Sequence, residues 1–289
     1  GSSAVVLDSD EGVQIVTTNA AATLTGAEPG VSAGLALAGT SGAVIASDAN
    51  GGLFRVTTSD PAALAISVSA RLPAAGQALV VSPSALYVAA GAAGLLSADP
   101  ATLAVLATNA VNGEAADAAL SGSTLYVAAG FGGCRIFSVA SPFAPALLGT
   151  FGHPARAVDA DVAGSTLLLA GDEAGLQIHS LTNVANPEWV ATVAASTNPR
   201  CLAVTGTLAF VAEALGDLKI YDVHDPAAPS LLGTAAADSL ATIRRLAVSG
   251  SRLAATDGHR INLFDVSDPA APTALASNVP PGYVFDLAA

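Results

Sequence analysis

Residues 201–234, CLAVTGTLAFVAEALGDLKIYDVHDPAAPSLLGT, contain four short apolar runs separated by turn signals. The runs are Cys201–Gly206, Leu208–Ala212, Leu218–Val223 and Ser230–Thr234. Asp225 and Pro226 precede the last run. Because proline cannot donate to a strand ladder and aspartate bonds its own turn backbone, this dipeptide predicts the end of a hairpin. The stretch therefore predicts a unit of four short antiparallel strands.

The same unit returns along the chain. Ser84–Gly94 recurs nearly unchanged as Ser123–Gly133, and Ala144–Thr150 recurs as Ala228–Thr234. The first apolar residue of the third strand returns every 39 to 43 residues, at Val13, Leu53, Leu95, Cys134, Leu176, Leu218 and Ile261. Four strands in a period of roughly 40 to 45 residues are typical of a propeller blade. The sequence predicts an all-β, seven-bladed β-propeller of about 41-residue four-stranded repeats.

The two ends of the chain predict how the ring closes. The chain begins with a second strand, Ala4–Leu7, and finishes with an isolated inner strand, Val284–Ala289. If these two strands pair, the last blade is built from 284–289 plus about 3–28, and no sheet edge is left open. We therefore expect residues 1–289 to form a single domain.

The third strands resemble the LVIVD repeat. The similar segments are Leu218–Asp222, Ile261–Asp265, Leu176–Ser180 and Val13–Thr17, followed by Asp-Pro-Ala-Ala-Pro at 225–229 and 268–272. The resemblance extends over essentially the whole chain and is strongest in the last two repeats. It implies a bacterial β-propeller that is secreted or located at the cell surface, and it carries over no catalytic residue.

The composition excludes several classes of partner and structure. The net charge is -13, with only 10 basic residues, so nucleic acid is not expected as a partner because phosphate binding needs a basic surface. The interval Leu72–Ala98 carries no charge, but Pro73, Pro83 and the repeat phase indicate buried strands. We expect no transmembrane segment, and two free thiols at Cys134 and Cys201, which a whole blade separates.

Motifs for catalysis and metal binding are weak in this sequence. Ser32 stands in a G-x-S-x-G match without the helix that a nucleophile elbow needs. The four histidines, His153, His179, His224 and His259, show no metal-binding spacing. Acidic residues before the third strands give only weak metal candidates, namely Asp8, Asp10 and Asp172. No metal or cofactor is expected.

The arginines have a less expected distribution. Arg156, Arg200, Arg244 and Arg245 all lie at the start of the inner strand, in three consecutive units. Arginine suits carboxylates, so these residues are candidates for binding an anionic group of a partner, with His153 and Tyr283 as neighbours on the same face. Structural ion pairing with nearby carboxylates is the alternative. Asp117, Asp159 and Asp286 share one phase of the inner strand and are interpreted as structural groups near the axis.

Two classes of function remain open. The first is a non-catalytic binding or scaffolding module that displays loops to a protein or glycan partner at the bacterial cell surface. The alternative is an enzyme, a hydrolase or lyase, with its site in the axial funnel. The lack of a convincing Ser-His-Asp set or metal cluster favours the binding module. We also expect the protein to be a monomer.

Overall fold

The structure, a computed structural model, consists of β-strands and turns. It describes residues 3–8, 12–18, 22–28, 34–40, 42–60, 63–152, 156–171, 174–193, 198–214, 217–235, 242–280 and 282–288. Within these ranges there are 28 strands, and no helix is long and apolar enough to cross a membrane.

Six four-stranded antiparallel sheets are each formed by consecutive strands, and we call these sheets blades. The first two blades are β4 (Gly34–Thr40), β5 (Ala43–Asp48), β6 (Gly52–Thr57), β7 (Ala65–Arg71) and β8 (Ala78–Val81), β9 (Leu86–Ala89), β10 (Leu95–Ala98), β11 (Val105–Asn109). The next two are β12 (Asp117–Ser121), β13 (Thr124–Ala128), β14 (Cys134–Ser138), β15 (Ala146–Phe151) and β16 (Ala157–Ala163), β17 (Thr166–Gly171), β18 (Gly175–Ser180), β19 (Glu188–Val193). The last two are β20 (Pro199–Thr205), β21 (Leu208–Glu213), β22 (Leu218–Asp222), β23 (Ser230–Ala235) and β24 (Arg245–Ser249), β25 (Arg252–Thr256), β26 (Ile261–Asp265), β27 (Thr273–Asn278).

The remaining strands form a composite sheet from the two ends of the chain. Its order is β28-β1-β2-β3, with β28 at Val284–Ala288, β1 at Ser3–Asp8, β2 at Gly12–Thr18 and β3 at Ala22–Glu28. The prediction of seven blades is therefore corrected: the structure has six blades continuous in the chain, not seven. The physical reason is that residues 3–28 provide only three strands, and the innermost strand of their sheet lies more than 250 residues away in sequence.

The innermost strands surround a common axis. Each contacts the next in the order β28, β4, β8, β12, β16, β20, β24 and back to β28. The hydrophobic core is a series of layers between neighbouring sheets. In one such layer Tyr126 and Ile136 of one blade pack with Leu167 and Leu169 of the next. The core therefore lies around the axis, and the axis itself is lined by the innermost strands.

The turns between third and fourth strands connect each blade to the preceding one. Tyr126 donates its hydroxyl hydrogen bond to the Val184 carbonyl of the next blade, at 3.2 Å, and Asn109 donates to the Pro145 carbonyl at 2.9 Å. In the repeated Leu-Leu-Gly-Thr motif, Gly149 lies directly under the Ala185 carbonyl of such a turn. Gly233 lies in the same way under Pro269. The motif therefore recurs because any side chain at the glycine would collide with the neighbouring blade.

Replacing Gly233 with alanine tests this contact. The added Cβ would meet the carbonyl oxygens of Pro269 and Ala270, so we expect Gly233→Ala to lower the free energy of unfolding by about 1–3 kcal/mol. Gly152→Ala is the matched control, because nothing lies within 4 Å of its Cβ position. Urea denaturation measures both. Equal midpoints for the two variants would show that the contact does not constrain the turn.

Deleting residues 284–289 tests the composite sheet. β28 pairs antiparallel with β1, with Leu287 opposite Val6, so its removal exposes an unpaired strand edge. We expect aggregation or a large drop in melting temperature, measured by size-exclusion chromatography and thermal denaturation. Deletion of residue 289 alone is the control. A monodisperse protein with an unchanged melting curve would contradict the role assigned to this pairing.

Candidate functional site

The innermost strands place equivalent residues at one level of the axis. Strand register aligns Ala36, Ala78, Asp117, Asp159, Cys201, Arg245 and Asp286 at this level. Asp161 follows two residues after Asp159 on β16 and lines the same space. We call the four carboxylates, Asp117, Asp159, Asp161 and Asp286, the waist. A chamber of about 250 Å³ lies between them.

A larger cavity of about 820 Å³ lies above the waist. It is lined by Arg156, Arg200, Arg244 and Arg245, and we call these four residues together with Glu114 the mouth. The arginines converge because the innermost strands run in the same direction along the axis, so residues at the start of β16, β20 and β24 meet at one end. Small residues such as Gly91 and Ala115 complete the wall and leave the cavity open.

The arginines of the mouth have different neighbours. Arg156 Nη2 lies 3.6 Å from Glu114 Oε2, and because both side chains are well exposed this pair contributes little to stability. Arg245 Nε lies 3.3 Å from Asp286 Oδ1 inside the channel. The guanidinium of Arg244 lies over the ring of Tyr283, 5.9 Å from its centroid, and among the described residues no carboxylate forms an ion pair with it.

Tyr283 is held in place beside the mouth. Its ring contacts His259 edge-on, with centroids 5.1 Å apart, and Phe285 at 5.0 Å. Gly258 lies so close to the Tyr283 ring that a Cβ there would collide with it, and its φ of 97° also favours glycine. The ring therefore gives Arg244 a fixed aromatic surface. His153, the other predicted neighbour, lies outside the described residues.

The waist carboxylates tie neighbouring innermost strands together. The backbone N–H of Ala160 donates to Asp117 Oδ2 at 2.9 Å, and that of Leu202 donates to Asp159 Oδ2 at 2.8 Å. The N–H of Leu37 donates to Asp286 Oδ2 at 2.7 Å. Each carboxylate therefore accepts from the strand that follows it around the axis.

The waist also retains protons. Burial raises the pKa of Asp159 well above its usual range, and the charge and hydrogen bond of Asp117 raise it further. Burial, with a smaller effect of Asp117, raises the pKa of Asp161 to about 6. Burial also raises the pKa of Asp286, although Arg245 opposes this shift. Asp159, Asp161 and Asp286 therefore hold their protons to a higher pH than exposed carboxylates do.

The two cysteines are buried free thiols. Burial raises the pKa of Cys134 to about 12. Burial, followed by the charge of Asp159, raises the pKa of Cys201 as well. Because the thiolate is the reactive form, neither group is a ready nucleophile at neutral pH.

Neither His179 nor His224 lines the mouth or the chamber of the waist. His179 is buried against Phe151, with ring centroids 4.5 Å apart, and the His224 N–H donates to Asp222 in a turn. Asp10, Asp172 and Ser32 lie outside the described residues. Asp8 ends β1. Across the described ranges no three His, Cys, Asp or Glu side chains are arranged to hold a metal ion.

Sequence reasoning identified the arginines and three of the four waist carboxylates but missed Asp161 and Glu114. Asp161 could have been found, because residues two apart on a strand share a face and Asp159 was already placed at the axis. Glu114 lies in a loop before β12, and no periodic signal marks its position.

The comparisons with known proteins agree with this fold. Residues 199–236, which contain the blade β20–β23, match the LVIVD repeat family model. A functionally unknown protein from Desulfotomaculum acetoxidans DSM 771 superposes with a TM-score of 0.76 at 12% identity, covering 92% of this chain and 93% of its own. The computationally designed Ika8 protein superposes with a TM-score of 0.68 at 14% identity, covering 87% of this chain and 76% of its own. Both similarities show the fold alone. A search of curated proteins found no match.

Substitutions at Asp159 test the link between innermost strands. Asp159→Ala leaves the Leu202 N–H without its acceptor, so we expect the free energy of unfolding to fall by about 1–3 kcal/mol. Asp159→Asn keeps an acceptor oxygen and removes the crowded ionisable group, so we expect it to be at least as stable as the unsubstituted protein. Urea denaturation near neutral pH compares them. Equal stability of the two variants would exclude a structural role for the hydrogen bond.

Proposed function

We propose that this chain, an LVIVD-repeat β-propeller, is a non-catalytic binding module that receives an anionic group of a protein or glycan partner in its mouth. The observation that carries the proposal is the concentration of positive charge. Four of the 10 basic residues of a chain with net charge -13 line one cavity. Ion pairs with structural carboxylates account for only part of this charge, because Arg244 faces an aromatic ring instead.

The chemistry of arginine supports an oxyanion ligand. A guanidinium presents planar, paired N–H donors that match a carboxylate, sulfate or phosphate group. Tyr283 helps to orient Arg244 at the edge of the cavity. Several guanidinium groups around one space then bind an anion from different sides, which a single surface arginine does not do.

The volume of the mouth is large enough for part of a partner molecule to enter it. About 820 Å³ is within the usual range for ligand pockets, and small wall residues such as Ala92 and Ala116 keep it unobstructed. A chain terminus or an acidic sugar unit of a larger partner fits this volume. Binding outside the bacterial cell follows from the family resemblance and is part of the proposal; labelling of the protein on intact cells with an impermeant reagent tests it.

Replacing Arg156, Arg200 and Arg244 together with alanine tests the site. We expect the affinity for sulfate, an acidic oligosaccharide or an acidic peptide to fall at least about tenfold, because charge-assisted hydrogen bonds are lost. The melting temperature should stay within a few degrees. Binding by the unsubstituted protein should weaken as salt rises, because rim charges are screened within about 8 Å at physiological ionic strength.

The matched control removes the same charge elsewhere. Arg55, Arg71 and Arg260 do not line the mouth, and their joint replacement with alanine should leave binding unchanged. If the mouth variant binds as before, the site lies elsewhere. If it unfolds, the single variant Arg244→Gln decides the question, because Arg244 has no ion pair among the described residues to lose.

A further inference from the structure

Two arginines line both the cavity of the mouth and the chamber of the waist. Arg200 and Arg245 line both the 820 Å³ cavity and the 250 Å³ chamber, and Arg245 is also in ion-pair contact with Asp286. The waist carboxylates therefore act on the same guanidinium groups that would hold an anion. Because Asp159 and Asp161 are largely buried, their charges act on these arginines more strongly than surface charges at the same separation would.

Asp159 and Asp161 face charged and titratable groups from several strands. Those groups are Asp117 on β12, Arg200 and Cys201 on β20, Arg245 on β24 and Asp286 on β28. The chamber walls contributed by β4 and β8 carry Leu37, Ala78 and Leu79, which have no charge. Two arginines thus stand among four carboxylates, and the charge of the chamber depends on how many carboxylates hold a proton.

We propose that the mouth binds its anion together with a proton, which is held by Asp159 or Asp161 of the waist. The inference rests on the proposed function, because it concerns the same arginine site. When Asp159 and Asp161 are neutral, these two carboxylates no longer offset the charge of Arg200 and Arg245, although Asp286 stays in contact with Arg245. When both are ionised, their charges offset those arginines, and the anion is released more readily.

The direction of the pH dependence follows from the shifts at the waist. The pKa of Asp161, raised to about 6 by burial, places a change in charge near pH 6, and burial and Asp117 raise the pKa of Asp159 in the same direction. Anion affinity is therefore high below about pH 6 and decreases as the pH rises through this value. Because linkage is reciprocal, a bound anion favours the protonated carboxylates, so binding must take up protons from solution.

Sulfate is a suitable probe, because its charge stays constant across this pH range. Isothermal titration of the full chain at constant ionic strength, at about pH 5 and about pH 7.5, gives the affinity at both values; we expect it to be about tenfold weaker at the higher pH, within the usual range for coupled sites. Titration near pH 6 in two buffers of different ionisation enthalpy gives the number of protons taken up, which we expect to be greater than zero.

Two variants test whether the pH dependence of sulfate binding comes from the waist. Asp159→Asn combined with Asp161→Asn keeps acceptor oxygens at both positions, and we expect it to reduce the pH dependence to less than about twofold and to lower the proton uptake. Asp99→Asn is the control, because Asp99 lies in an exposed turn outside the channel and accepts the N–H groups of Ala101 and Thr102. This control should keep the full pH dependence.

The outcomes distinguish this inference from the proposed function. Sulfate binding that depends on the mouth arginines but is equal at both pH values, without proton uptake, overturns the proton link and leaves the binding site intact. Absence of sulfate binding at both pH values overturns both. If the double variant does not fold, the proton uptake of the unsubstituted protein and of Asp161→Asn alone decides the question.

Discussion

The edge of each innermost strand that faces the axis has no further strand to pair with, and the architecture depends on how the backbone groups of that edge are satisfied. At three positions an aspartate accepts the N–H of the following innermost strand: Asp117 from Ala160, Asp159 from Leu202 and Asp286 from Leu37. These hydrogen bonds hold the strands at a fixed separation around the axis. The mouth and the chamber of the waist exist because that separation is kept.

The same carboxylates give the channel its chemical character. A ring in which every repeat carried aspartate at this level would place many like charges in a small buried space. The repeats differ instead, with alanine at 36 and 78, Cys201, and Arg245 beside Asp286. The departures from perfect repetition therefore create both the ion pair and the space in which a ligand can be held. Function in such a fold depends on these differences more than on the repeat itself.

Much of this arrangement could be predicted from sequence, since a fixed period converts position in the chain into position around the axis. The strand order within a unit, the axial phase of Asp159 and the common end of Arg200 and Arg244 all follow from the period. The period does not predict which residues of neighbouring units are in contact. The Asp-Pro turn at 268–269 was predicted only as a hairpin end, yet it covers Gly233 of the preceding blade, and the turn that contains Ala185 covers Gly149 in the same way. The number of blades was also overestimated: seven were predicted and the structure has six, because the three strands at the start of the chain have the pattern of a unit without its innermost strand.

The positive charge of the mouth is opposite in sign to the net charge of the chain. A net charge of -13 produces a field that repels anions at long range, so the mouth gains nothing from steering. Its attraction is confined to the few ångströms in which Arg200, Arg244 and Arg245 can make hydrogen bonds. Added salt screens the repulsive field of the chain, but it also weakens the exposed arginine contacts, and we expect this second effect to be the larger one because the contacts are short. Because Asp159 and Asp161 lie inside the channel, salt screens them less than it screens the exposed arginines, and in our proposal their protonation sets the charge that an entering anion meets.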